Sequence, residues 1–198
     1  MIRVAHLIGS LQIGGAENQV VQMVSHLPSE RFGAHVITFS ERKKGYRAAL
    51  PDHVRYFCMR YRKRFAPVGW WRLYRYLRDN RIDVLQCHMY HAALPGTIIG
   101  RLAGVRVVIT TEHGTDLWQR RWHHLIQQRV ITPLTDFRVA VSEDIRRLRI
   151  THDGVPSNKI GIIENAVATD VPQAEPDRPI AVIGSLGRLV EEKDYPTL

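Results

Sequence analysis

Cysteine is scarce in this 198-residue chain: only Cys58 and Cys87 occur, both inside apolar, strand-like runs. A disulfide framework therefore does not organise the fold, and a reducing compartment suits the pair best. Long apolar runs are missing as well. No stretch approaches the ~18 residues that a membrane span requires, and the apolar opening, Val4 to Gly9, is too short for the hydrophobic region of a secretory signal. The expected location is cytoplasmic, with any membrane contact made peripherally from the inner face. Acidic residues are few beside basic ones: 28 Lys and Arg against 19 Asp and Glu give a net charge of +9, which favours anionic partners such as phosphates or anionic lipid. A Walker A sequence is absent. The G-x-G-x-x-G nicotinamide fingerprint also fails on spacing, although Glu41 after the second strand keeps a dinucleotide reading open.

What is present is ordinary globular composition, 44% hydrophobic and 24% charged, in a length that builds one sizeable core. Short β-branched or aliphatic runs alternate with segments of helical period as far as Val167. Strands are predicted over 3–8, 34–39, 54–58, 84–88, 106–110, 137–141 and 160–163, and helices over 16–27, 67–81, 92–103, 121–134 and 143–149. Pro67 suits a first helical turn, Gly104 a helix stop, and Ser142 an N-cap followed by Glu143 and Asp144. The expected class is α/β, a Rossmann-like parallel sheet with helices on both faces. Residues 1–167 read as that domain. The stretch 168–179, with Pro172, Pro176 and Pro179, reads as a linker, and 180–198 as the first strand of a second domain whose remainder is missing.

In open parallel sheets ligands bind beyond the carboxyl ends of the strands, where strand order reverses. Gly14 and Gly15 follow the first strand and open a helix, so they either form a tight turn or let backbone N–H groups approach a phosphate. Past the fifth strand, Glu112-His113-Gly114-Thr115-Asp116 brings an imidazole, a hydroxyl and two carboxylates to the same edge; His113 is either structural or a hydrogen-bonding partner of a substrate. Cys87 and His88 close the fourth strand. Being adjacent, they point to opposite faces, which argues against a zinc site, and His88, Tyr90 and His91 read instead as partners for a polyhydroxylated ligand.

Taken in order, these loops resemble glycosyltransferase family 4 of the GT-B fold. The resemblance rests on Gly14-Gly15-Ala16-Glu17, the 112–116 loop, Val141-Ser142-Glu143, the hinge-like run Lys159 to Val167, and Gly184 to Lys193, which is similar to the family's G-R-L-x-x-x-K entry into its nucleotide-binding domain. It implies that the chain is the N-terminal half of a retaining GT-B enzyme that uses a nucleotide-sugar donor. The donor diphosphate would lie between the Gly14-Gly15 loop and the cations Arg188 and Lys193, which would stabilise the leaving group with no metal and no cofactor. His113 would hydrogen-bond the donor sugar as the catalytic histidine; Glu17, Asn18, His88, Tyr90 and Asp116 would contact the acceptor. Glu164 and Ala166 depart from the hinge's usual proline and glycine, and the family's paired glutamates fall outside this sequence. The fragment alone is therefore expected to be inactive.

The segment Arg60 to Arg78 is basic and aromatic. Trp70, Leu73, Tyr74 and Leu77 share a helical face and are expected in the core, while Trp71, Arg72, Arg75 and Arg78 fall on or beside the other face. Arg120-Arg121-Trp122 forms a second such cluster. These surfaces are either solvated faces or docking sites for an anionic membrane that carries a lipid-linked or polysaccharide acceptor. Nucleic acid is disfavoured because no recognition motif accompanies the charge. The alternative function is a non-catalytic Rossmann-like domain that binds a dinucleotide or another small molecule.

Overall fold

The computed structural model describes residues 1–41, 45–60, 67–114 and 122–166, with side chains at all of these except 122–125. The expected linker and second-domain strand, with Arg188 and Lys193, lie outside the described residues, as do Thr115 and Asp116. Residues Met1–Ala166 form one compact unit.

Seven strands make a single sheet: β1 (Ile2–Ile8), β2 (Phe32–Thr38), β3 (Arg55–Cys58), β4 (Val84–His88), β5 (Val107–Glu112), β6 (Phe137–Ala140) and β7 (Ile160–Ile162). Their spatial order is β3-β2-β1-β4-β5-β6-β7 and every neighbouring pair is parallel. Among the described residues five α-helices lie in the connections: α1 (Gly15–His26), α2 (Pro67–Asp79), α3 (Met89–Leu102), α4 (Trp122–Leu134) and α5 (Glu143–Thr151). Each element lies within three residues of its predicted position.

Strand alternation assigns each side chain to a face. On one face Ile8, Ala34 and Val36 pack against Val20, Val21 and Val24 of α1. On the other, Leu7, Leu85, Cys87 and Val108 meet Leu73 and Leu77 of α2 and Ala92 and Ile99 of α3. Leu73 and Leu77 are 1% exposed, and burial of each stabilises the fold by about 2 kcal/mol. The faces follow from handedness. Connections that step towards β3 cross on the first face, and those that step from β3 towards β7 cross on the second, as right-handed crossovers require. Accordingly α4 and α5 also lie on the second face, where Arg138 bonds Gln128 of α4 and Ala140 packs with Ile145 of α5.

Helix ends follow local chemistry. The Ser142 hydroxyl accepts a hydrogen bond from the Ile145 N–H at 3.3 Å and caps α5. Gly104, at φ 77°, stops α3 in a conformation that L side chains rarely adopt. Lys159 donates from Nζ to the carbonyls of Thr132 and Thr135 at the end of α4, where a cation meets the negative pole of the helix. The largest discrepancy is the start of α3, at Met89 rather than Ala92. Met89 takes φ 66° and turns the chain directly from strand into helix. No Ser, Thr, Asp or Asn marks that start, so the sequence carries no cap signal there.

Candidate active site at the carboxyl edge of the sheet

Strand order reverses between β1 and β4, because the chain leaves β1 in one direction and returns beside it through β4. The crevice rule therefore selects the segments after β1, β4 and β5.

The loop after β1 is pinned before it reaches the glycines. The Gly9 carbonyl accepts from the N–H groups of Phe39 and Ser40 at 3.1 and 3.2 Å, and the Leu11 carbonyl accepts from Tyr46 at 2.7 Å. Gly45 makes that approach possible: a Cβ there would collide with the Leu11 carbonyl oxygen. Beyond the pinned part, Ile13 is 69% exposed. Gly14 caps α1 in extended conformation, and its carbonyl accepts the first helical bond from Asn18 at 3.0 Å. The two glycines differ in purpose. A side chain at Gly14 would strike the Glu17 carboxylate, which is buried and folded back over the helix start. At Gly15, which is exposed, no atom lies within 4 Å of where a Cβ would stand. The open approach to the helix N-terminus is therefore beside Gly15, and Glu17, expected to contact the acceptor, is buried with its carboxylate beside Gly14. Asn18 is half-buried.

Three imidazoles form a chain at the crevice. His6 Nδ1 lies 3.1 Å from His88 Nε2, and His88 Nδ1 lies 3.1 Å from His113 Nε2. Sheet register explains this geometry. His6 pairs with Gln86, two residues before His88, and His88 pairs with Thr111, two before His113. Each imidazole is thus the diagonal neighbour of the next on one face, and the series climbs one pleat per strand towards the carboxyl edge. Burial drives the His6 ring down to about 4 and the His88 ring well below its ordinary value, the latter also through its imidazole neighbours. His113 is lowered by burial despite the opposing charge of Glu112. All three are neutral at pH 7. His88 is 0% exposed and both its nitrogens are engaged, so no ring atom of it is open to a ligand; its expected acceptor contact gives way to support of His113. Tyr90 is buried in the first turn of α3 rather than in a loop, and its carbonyl accepts from Gln127.

Glu112 also differs from its expected place among ligand-facing carboxylates. It shares the second face with Arg138 and is buried with Arg138, Arg149 and Asp153. Arg149 contacts Glu112 at 3.2 Å and Asp153 at 2.9 Å, and donates to the Gly114 carbonyl at 3.4 Å. Arg138 donates to Gln128 at 2.6 Å and to Thr132 at 2.9 Å. The network ties α5 to the start of the 112–114 loop and fixes the backbone that carries His113. On the α1 side, the Gln19 amide donates to the Ala166 carbonyl at 2.6 Å and accepts from its N–H at 3.0 Å, so the hinge-like segment is tethered to α1. His6, Gln19, Gly45 and Arg149 carry no motif, and their roles depend on register and long-range packing. A cavity of about 470 Å³ lined by Arg3, His53, Arg55 and Asp79 opens at the opposite, amino edge, away from these loops.

Among solved structures the chain is similar to Anabaena HepE in complex with UDP and glucose (TM-score 0.63, 18% identity, 84% of this chain and 45% of that one). It is also similar to a glycosyltransferase from Rickettsia africae (TM-score 0.60, 11% identity, 82% and 42%) and to UDP-GlcNAc 2-epimerase from Neisseria meningitidis bound to UDP-GlcNAc (TM-score 0.60, 15% identity, 83% and 47%). At these identities the likeness concerns the fold, and the chain spans less than half the length of each. No curated protein sequence matches it significantly. The sequence matches the family model for Glycosyltransferase Family 4 over residues 13–171, most of its length, and the chain therefore belongs to glycosyltransferase family 4.

Proposed function

We propose that this chain is the acceptor-side half of a retaining glycosyltransferase that moves a sugar from a nucleotide-sugar donor to a polysaccharide or glycolipid acceptor. The observation that carries the reading is the pairing, at one reversal of strand order, of an unobstructed helix start at Gly15 with a loop-borne neutral imidazole at His113. Free N–H groups at a helix start suit a diphosphate, and a neutral imidazole suits a sugar hydroxyl. The UDP and UDP-sugar complexes of structurally similar proteins agree with such a donor. In this mechanism the glycosidic C–O bond to the diphosphate lengthens first, positive charge develops on the sugar, and the departing oxygens gather negative charge. The α1 N-terminus stabilises those oxygens, Arg188 and Lys193 supply the positive charge, and no metal is required. Asn18 and Asp116 contact the acceptor hydroxyl, which attacks on the face the diphosphate leaves and gives its proton to a departing phosphate oxygen. The 198-residue chain alone does not turn over.

The dinucleotide alternative needs a free acidic residue beyond β2. Glu41 is instead ion-paired with Arg47. Thermal denaturation of the polypeptide carrying both domains discriminates: UDP or GDP should raise its midpoint, and stabilisation by NAD with neither of these would overturn the proposal.

We further propose peripheral docking on the cytoplasmic face of a membrane through α2. Among the described residues no helix is long and apolar enough to cross one. Val68 and Trp71 are 60% and 58% exposed, Arg75 stacks on Trp71 and Arg78 on Tyr74, and such a face suits anionic headgroups. Co-sedimentation with phosphatidylglycerol vesicles should be lost on Trp71→Ala; absence of binding at low salt would remove the idea.

A further inference from the structure

The amino edge of the sheet carries a recess that sugar transfer leaves unused. Its volume of about 470 Å³ falls within the range of roughly 300 to 1,000 Å³ typical of small-molecule sites. Three guanidiniums line it, those of Arg3, Arg55 and Arg81, against the single carboxylate of Asp79. Asp79 is ion-paired with Arg75, which is not part of the lining. None of the three lining arginines is ion-paired among the described residues, so their positive charge is uncompensated.

Register brings these charges together. His35 of β2 pairs with Arg55 of β3, and Gly33, two residues earlier on the same face, pairs with Arg3 of β1. Arg55 is tethered to the end of α2: it donates to Asn80 Oδ1 at 3.3 Å, and the Asn80 amide donates to the Tyr76 carbonyl at 2.9 Å. His35 is buried, with Nδ1 2.9 Å from the Tyr76 hydroxyl. Burial, and then the charges of Arg55 and Arg3, lower its ring to about 4, so at pH 7 it is neutral and the guanidiniums dominate.

Gly33 keeps the recess open. A glycine inside a strand weakens it, and often marks a place where a ligand or another backbone comes close. Neither backbone conformation nor packing requires glycine here. Its φ lies outside the left-handed region, and an added Cβ would meet Met1 Cε at 3.4 Å and Arg3 Cγ at 3.6 Å, ordinary contact distances. What a larger side chain would do is occupy the space beside Arg3.

We propose that this recess is a second ligand site, which binds a free phosphate-bearing small molecule through Arg3, Arg55 and Arg81 at the edge of the sheet opposite His113. Guanidinium forks match pairs of phosphate oxygens. The volume, against about 30 Å³ for one water molecule, leaves room for an organic group as well. The site stands independently of the sugar-transfer reading.

Inorganic pyrophosphate is the probe, titrated at low salt into the ¹³C-labelled 198-residue chain while the histidine ring signals are followed. The signals of His35 and His53, which both line the recess, should shift and saturate. The affinity read from them should fall at least about tenfold in Arg55→Gln and in Arg81→Gln. It should also be lost in Gly33→Val, which leaves every charge in place. Arg129→Gln, which removes an exposed guanidinium of α4, should leave it within about twofold of the parent. Unmoved His35 and His53 signals overturn the proposal, as does weakening in Arg129→Gln equal to that in Arg55→Gln, which would mean diffuse attraction. Should Gly33→Val not fold, the arginine variants decide. Binding to phosphatidylglycerol vesicles that is lost in Arg55→Gln, with no response to pyrophosphate, would assign the recess to a lipid headgroup and likewise overturn the proposal. His113 reports the carboxyl edge separately, so this site and the sugar-transfer reading fail independently.

Discussion

Lowering the pH from 7 to 5 should destabilise this domain through its buried imidazoles, and His6 sets the scale. In the unfolded chain its ring titrates near the ordinary value of 6.5, while in the folded domain burial holds it at about 4. Between those values the unfolded state binds a proton that the folded state refuses. Stability is therefore fully present above pH 6.5 and is lost as the pH falls towards 4. At about 1.4 kcal/mol per pKa unit, the loss from pH 7 to pH 5 is about 2 kcal/mol for His6 alone. His88 and His113 shift in the same direction and add to it. Asp136 does not confuse the window: although burial pushes its carboxyl up, the Val108 N–H and the Arg101 guanidinium hold it below its ordinary value, so it titrates at lower pH. Urea denaturation at pH 7, 6 and 5, followed by far-ultraviolet circular dichroism, should give midpoints that fall steadily. In His6→Gln the pH slope should be shallower, by less than one proton on average across this range. Equal midpoints at pH 7 and 5, or an unaltered slope in His6→Gln, would refute the reasoning.

Three further perturbations test the packing and the site. Arg149→Met strands the Glu112 and Asp153 carboxylates away from water and should cost about 3 to 5 kcal/mol in urea denaturation; a loss below 1 kcal/mol would mean that Arg138 suffices. Gly96→Ala sets a methyl group against Cys87 Sγ and 2.8 Å from Leu7 Cδ2 and should destabilise by about 1 to 3 kcal/mol, measured the same way. Gly15→Ala, in contrast, adds a Cβ into open space and should leave the denaturation midpoint of the 198-residue chain within about 0.5 kcal/mol of the parent. In the two-domain polypeptide the same change should weaken UDP or GDP binding in calorimetry, and unchanged affinity would mean that the phosphate lies elsewhere.

Much of this architecture was legible before any coordinates, because its signals are local. Strands such as Val84–His88 and helices such as Pro67–Asp79 announce themselves by period and length, and Ser142 and Gly104 punctuate them by chemistry that works over three or four residues. The site was legible only in outline. Gly14, Gly15 and His113 stand next to strand ends, where the topology rule looks. The alignment of His6 with His88 depends on which residue of β1 faces which residue of β4, and nothing within either strand encodes that register. Glu112 misled for a related reason. Its neighbour His113 lies on the face of the histidine chain, and one step of the pleat carries the carboxylate to the other side, where Arg138 and Arg149 arrive from segments 26 to 37 residues later. For Glu17 an acid in a first helical turn reads the same on sequence grounds whether it is exposed or buried, and its burial beside Gly14 shows only in three dimensions.

The seating of Cys87 has a practical corollary. Its sulfur is enclosed against Gly96, and burial pushes the thiol well above its ordinary value, so it offers no thiolate to an alkylating reagent. Cys58, at the end of β3, is half-buried and unpaired in any disulfide. With only two cysteines in the sequence, a maleimide fluorophore applied to the native protein should attach once, at the carboxyl end of the outermost strand β3, and give a spectroscopic reporter without any substitution.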